Sequence, residues 1–127
     1  MHLLVIEDDP RLSRLLKRLL EDDRHVVELA TDGRTGLEIA EDAPGIECVI
    51  LDMHMPVVTG IDVLEHLTDT RPALPVVFLT ACSGDYLRQE ANTPAVVAFF
   101  RKPLYEDLAV FMNTLRGILR LDDPAGA

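Results

Sequence analysis

Leu51-Asp52-Met53-His54-Met55-Pro56 sets one aspartate at the end of an apolar run, Cys48-Val49-Ile50-Leu51, that reads as a buried strand. A carboxylate in such a place is costly unless something neutralises it or uses it. Two other apolar runs end in charge. Glu7-Asp8-Asp9 follows Leu3-Leu4-Val5-Ile6, and Arg101-Lys102-Pro103 follows Val96-Val97-Ala98-Phe99-Phe100. Acids at two strand ends and a lysine at a third make a site able to hold a divalent cation and a phosphoryl group. Three unrelated loop charges are the plain alternative, and the joint pattern speaks against them.

Strand-like and helix-like periods alternate outward from this stretch. Leu3 to Ile6 is continuously apolar, as a parallel strand covered on both faces requires. Pro10 suits the first turn of a helix, and Leu12, Leu15, Leu16, Leu19 and Leu20 form its stripe. His25 to Ala30 is a shorter, more polar strand expected near the sheet edge. Asp32-Gly33 punctuates the chain before a helix begun by Leu37, Ile39 and Ala40. Glu47 to Leu51 is the third strand, and Thr59 caps a helix with stripe Ile61, Val63, Leu64 and Leu67. Pro75 to Thr80 is the fourth strand. A short helix is expected from Gly84 to Ala91, stopped by Asn92-Thr93-Pro94. Ala95 to Phe100 is the fifth strand. Leu104, Leu108, Phe111, Met112, Leu115, Ile118 and Leu119 mark the last helix. Five strands alternating with five helices imply an α/β fold, a doubly wound parallel sheet with its site beyond the carboxyl ends of the strands.

The 127 residues fit one domain, expected over residues 1–121, with 122–127 of linker composition as a disordered tail or the start of a tether. A formal charge of −10 argues against nucleic-acid binding by this segment, which would need a basic face. The two cysteines, Cys48 and Cys82, lack metal-ligand spacing, and Cys48 reads as a small core residue. His2, His25, His54 and His66 share no helical spacing that would make a metal site. There is no basic leader with a cleavage site, and no apolar run near the roughly 18 residues of a membrane span, so a cytoplasmic protein is expected.

In this order and spacing, Val5-Ile6-Glu7-Asp8-Asp9-Pro10, Thr31-Asp32-Gly33, Leu51 to Pro56, Gly60, Leu79-Thr80-Ala81 and Arg101-Lys102-Pro103 resemble a response-regulator receiver domain of two-component signalling. The resemblance covers nearly the whole chain. It implies the five-stranded sheet of order 2-1-3-4-5, of the flavodoxin-like or CheY-like kind. It also implies that Asp52 is the phosphoacceptor, taking a phosphoryl group from a phosphohistidine of a sensor histidine kinase or phosphotransfer protein. Mg²⁺ would be the cofactor, held by Glu7, Asp8, Asp52 and the backbone carbonyl of His54. Asp9 fits better at the helix start, where an acid favours the dipole. Lys102 and Thr80 would contact the phosphoryl oxygens. Thr80 and Phe99 would form a switch, with Phe100 on the opposite face of its strand. The side chains of His54 and Cys82, each two residues beyond a site residue, would tune hydrolysis. The readout surface would be the face of the fourth helix, fifth strand and last helix, met by an output domain or target protein. Such a domain is a switch that assists its own phosphorylation and dephosphorylation rather than an enzyme.

Two other readings compete. A haloacid-dehalogenase-like phosphatase also uses an aspartyl phosphate, Mg²⁺, a threonine and a lysine. Its nucleophile normally lies in an Asp-x-Asp motif after the first strand, where this chain has Glu7-Asp8-Asp9, and there is no cap domain. A degenerate receiver acting only as a docking module is the other, and the intact Asp52, Thr80, Lys102 and acid pair argue against it.

Overall fold

The computed structural model describes residues 1–80, 94–101 and 108–121. Strands β1 (His2–Ile6), β2 (Val26–Ala30), β3 (Cys48–Asp52), β4 (Val76–Thr80) and β5 (Val96–Arg101) form one parallel sheet in the order β2-β1-β3-β4-β5. The polar second strand lies at the edge, as its composition requires. Four helices are described: α1 (Pro10–Asp22), α2 (Gly33–Asp42), α3 (Gly60–Thr70) and the last helix (Leu108–Leu121). The helix expected from Gly84 to Ala91 lies outside the described residues, as does Leu104.

The period of two sorts each strand between two cores. Leu4, Ile6, Val49, Leu51, Val76 and Phe78 pack under α2 and α3 with Ala40, Leu64 and Leu67. Leu3, Val5, Cys48, Ile50, Val77 and Leu79 pack under α1 and the last helix with Leu16, Leu20, Phe111 and Leu115. Phe99 and Phe100 divide in the same way: Phe99 stacks on Phe78 at 5.6 Å between centroids, while Phe100 meets Phe111 edge-on at 4.7 Å. A register shift between Val76 and Val77 interrupts the β4–β5 ladder, so that Val76 pairs with Val96 and Val77 with Ala98.

Side-chain caps set the helix starts. Asp9 accepts the Arg11 amide at 2.9 Å and opens α1 with Pro10 at its head. Thr59 and Asp62 form a reciprocal capping box on α3, with bonds of 3.2 and 3.0 Å. Asp32 corrects the reading that began the second helix at Leu37. It accepts the Thr35 amide at 2.7 Å, so α2 starts at Gly33 and the aspartate is its cap. The Thr35 amide and hydroxyl together hold the Asp32 carboxyl below the usual carboxylate range. Arg71, one residue past α3, donates to four carbonyls around the end of α2, the shortest bond being 2.6 Å to Ile46.

Candidate functional site at the strand ends

Glu7, Asp8 and Asp52 come together because β1 and β3 are sheet neighbours in register, Ile6 against Leu51. Main-chain bonds hold both exits. The Glu7 amide donates to Ala30 at 3.0 Å, and the Met53 amide donates to Leu79 at 2.9 Å. Glu7 and Asp52 are buried and Asp8 is exposed, and one carboxylate oxygen from each lies within 4.8 Å of the others. Among the described residues, no other trio of His, Cys, Asp or Glu side chains is close enough to share an ion.

Crowded carboxylates repel one another, and burial strengthens the repulsion. A hard divalent cation relieves it. Oxygens on opposite sides of a Mg²⁺ ion stand about 4.2 Å apart, twice the bond length. The three oxygens lie within 4.8 Å of one another, close to that span, and Asp8 is exposed. The donor set therefore fits such an ion.

The β3–α3 loop holds the acceptor side of the site. The His54 amide donates to Asp52 Oδ1 at 3.1 Å, and its side chain is exposed. The Gly60 amide donates to the Met53 carbonyl at 3.1 Å and folds the loop back onto β3. Thr80 is buried at the end of β4, opposite Arg101 in register. Phe99 is half-buried one strand away. Asp9 caps α1, as expected of it. Lys102 and Cys82 lie outside the described residues.

Val57 is the loop feature that sequence reading missed. Its φ of 66° is left-handed, and its side chain is 96% exposed. Nothing in Pro56-Val57-Val58 announces this conformation, since glycine or asparagine would be its usual sign.

The response regulator receiver domain model matches residues 3–114. This chain belongs to the response-regulator receiver family. It is 34% identical over 128 residues to the response regulator MprA of Mycolicibacterium vanbaalenii, covering 99% of this chain and 54% of that protein. It thus spans about half the length of that relative. The solved receiver domain protein from Clostridium thermocellum is 30% identical, with a TM-score of 0.79 over 96% of this chain and 98% of the other. The chemotaxis protein CheY4 of Vibrio cholerae is 25% identical, with a TM-score of 0.81 over 91% and 95%. The receiver is the phosphoacceptor module of two-component signalling, a signalling switch. Among the described residues, no helix is long and apolar enough to cross a membrane.

Proposed function

We propose that Asp52 of this receiver accepts a phosphoryl group from a phosphohistidine. One Asp52 carboxylate oxygen forms a bond to phosphorus as the phosphorus–nitrogen bond breaks, and the electron pair stays on the departing imidazole. The product is an acyl phosphate on Asp52. The observation that carries this reading is the meeting of Glu7, Asp8 and Asp52 at adjoining strand ends. Glu7, Asp8, Asp52 and the carbonyl of His54 would hold Mg²⁺, whose charge offsets that of the phosphoryl oxygens.

Thr80, at the end of β4, gives a hydroxyl to a phosphoryl oxygen, and Lys102 pairs with the new charge. Movement of Thr80 frees space for Phe99, whose ring already stacks on Phe78, two residues before Thr80. The switch is then read on the face of the expected fourth helix, β5 and the last helix, by an output domain or target protein. His54 and Cys82 flank the path of attacking water and set the lifetime of the phosphate. The domain acts on itself and turns over no separate substrate. We place its boundary at residue 121, with 122–127 as tail or linker. A cytoplasmic location belongs to the same proposal, because ATP charges the donor histidine there.

The test is incubation with acetyl phosphate and Mg²⁺. One hydroxylamine-labile phosphoryl group is expected on the wild type and none on Asp52→Asn. Labelling that persists in the variant would sink the assignment.

A further inference from the structure

Helices α2 and α3 share the face of the sheet away from α1 and the last helix. A cavity of about 290 Å³ opens between them. Leu37, Ala40 and Pro44 line it on one side and Leu67 on the other, and the exposed Glu41 and His66 line it as well. Small-molecule pockets usually hold about 300–1,000 Å³. This cavity lies just below that range, so it suits one inserted side chain better than a whole ligand.

Charge says which side chain. α2 and α3 carry Glu38, Glu41, Asp42, Asp62, Glu65 and Asp69 against Arg34. A helix dipole favours Asp62, in the first turn of α3. Glu41, Asp42 and Asp69 lie in last turns, where the dipole disfavours an acid and favours a base, and neither helix has a base there. Both helices end at the same edge of the domain, because Arg71, one residue past α3, reaches the carbonyls of Ala40 and Ala43 at the end of α2. Two negative helix ends and three acids thus concentrate negative potential around the cavity.

The chain's own cations do not cancel it. Arg71 also lines the cavity, but its guanidinium is committed to the carbonyls of Ala40, Ala43, Pro44 and Ile46. Arg34 pairs with Glu38 at 3.7 Å. Among the described residues, Glu41 has only the His66 imidazole as ionic partner, at 3.5 Å, and Asp42, Glu65 and Asp69 have none. A face built for solubility alone needs acids, and gains nothing from an apolar cavity set among them.

An apolar cavity with acids around its mouth matches an arginine, which has an apolar stem and a charged planar head. Arginine is also prominent among the residues that anchor protein interfaces. We propose that this cavity anchors a partner protein with a basic surface, which inserts one arginine between α2 and α3. Its stem lies against Leu37 and Leu67, its guanidinium meets Glu41, and neighbouring basic residues face Asp42 and Asp69. The site is remote from Asp52, since α2 leads into the first residue of β3 and Asp52 is the last. A partner seated here leaves the strand-end carboxylates open to a phosphodonor.

The probe is the acetylated, amidated pentapeptide Lys-Ala-Arg-Ala-Lys, titrated into the ¹⁵N-labelled protein and followed by amide shifts. Saturable shifts are expected at Leu37, Glu41, His66 and Thr70, which border the cavity. Citrulline in place of the central arginine keeps the shape and loses the charge, and should bind about fivefold more weakly or less, as should the wild-type peptide to Glu41→Gln. Glu41→Lys, which puts a cation of the chain's own at the mouth, should abolish the shifts. Labelling of Asp52 from acetyl phosphate and the circular dichroism spectrum should be unchanged in both variants. Equal binding of the citrulline peptide, or of the arginine peptide to Glu41→Lys, would overturn the proposal. Shifts spread evenly over acids outside the cavity, such as Glu21 and Glu28, would overturn it in favour of diffuse attraction, and the absence of any shift would overturn it outright.

Discussion

Gly60 packs directly on the backbone of Asp52. A Cβ on this glycine would collide with the Asp52 carbonyl oxygen and stand 2.6 Å from the Met53 Cα. Backbone yields less readily than a side-chain tip, so the start of α3 and the end of β3 would have to part. Gly60→Ala should lower stability by roughly 1–3 kcal/mol, the usual cost of overpacking. It should also slow labelling from acetyl phosphate, since the displaced backbone carries the acceptor. A urea midpoint equal to the wild type's would show that the loop gives way freely.

Val57 lies in the same loop with φ 66°. A β-branched residue there costs about 1–2 kcal/mol, and an exposed side chain gains nothing by burial in return. Asparagine tolerates the left-handed region without glycine's extra freedom in the unfolded chain. Val57→Asn should raise stability by about 1 kcal/mol, and Val57→Gly by less. Lower denaturation midpoints in both variants would mean that Val57 is held by something worth more than the strain.

Glu7, Asp8 and Asp52 were legible as a set because each ends an apolar run, and a parallel sheet gathers its strand ends on one side. The α1 stripe of leucines and the Thr59 cap were legible from period and spacing, whereas the sheet order came with the family resemblance. The start of α2 was read late, at Leu37, because the Asp32 cap bond depends on geometry rather than on apolar period. Val57 left no mark, because valine is the wrong residue for its conformation. Arg71 left none either, since its carbonyl partners lie about 25–31 residues earlier in the chain. Only the packing of α2 beside α3 brings them together.

Loss of one carboxylate should be felt by the cation before it is felt by the fold. Asp8 is the exposed member of the trio, and Asp8→Asn keeps its shape while removing one charge. Mg²⁺ affinity follows ligand charge and number, so it should fall by about tenfold or more in titrations followed by amide shifts. Unchanged affinity would take Asp8 out of the site.

Arg71 should matter to stability and not to phosphate uptake. Its guanidinium reaches Pro44 at 3.1 Å and Ile46 at 2.6 Å from one nitrogen, and Ala40 and Ala43 from another. Lysine has no fork to span these carbonyls. Arg71→Lys and Arg71→Ala should both lose about 1.5–3 kcal/mol, the range for bonds from a charged donor. Wild-type stability in Arg71→Lys would mean that a point charge is enough.

His25 should make the fold acid-sensitive. Its pKa is lowered first by burial and then by the N-terminal ammonium, which lies 3.1 Å from Nδ1. Arg116 pushes the same way, while Asp23, 3.8 Å from Nε2, and Glu47 oppose. The folded protein thus holds a neutral imidazole where the unfolded chain binds a proton. Stability rises with pH wherever the unfolded state carries more protons. This contribution is therefore complete above the ordinary value of about 6.5 and fades as pH falls from there through the lowered value. Unfolding by urea at about pH 8 and about pH 5 should show a larger loss for the wild type than for His25→Gln, which has no proton to gain. Equal losses would show that the imidazole does not couple folding to pH.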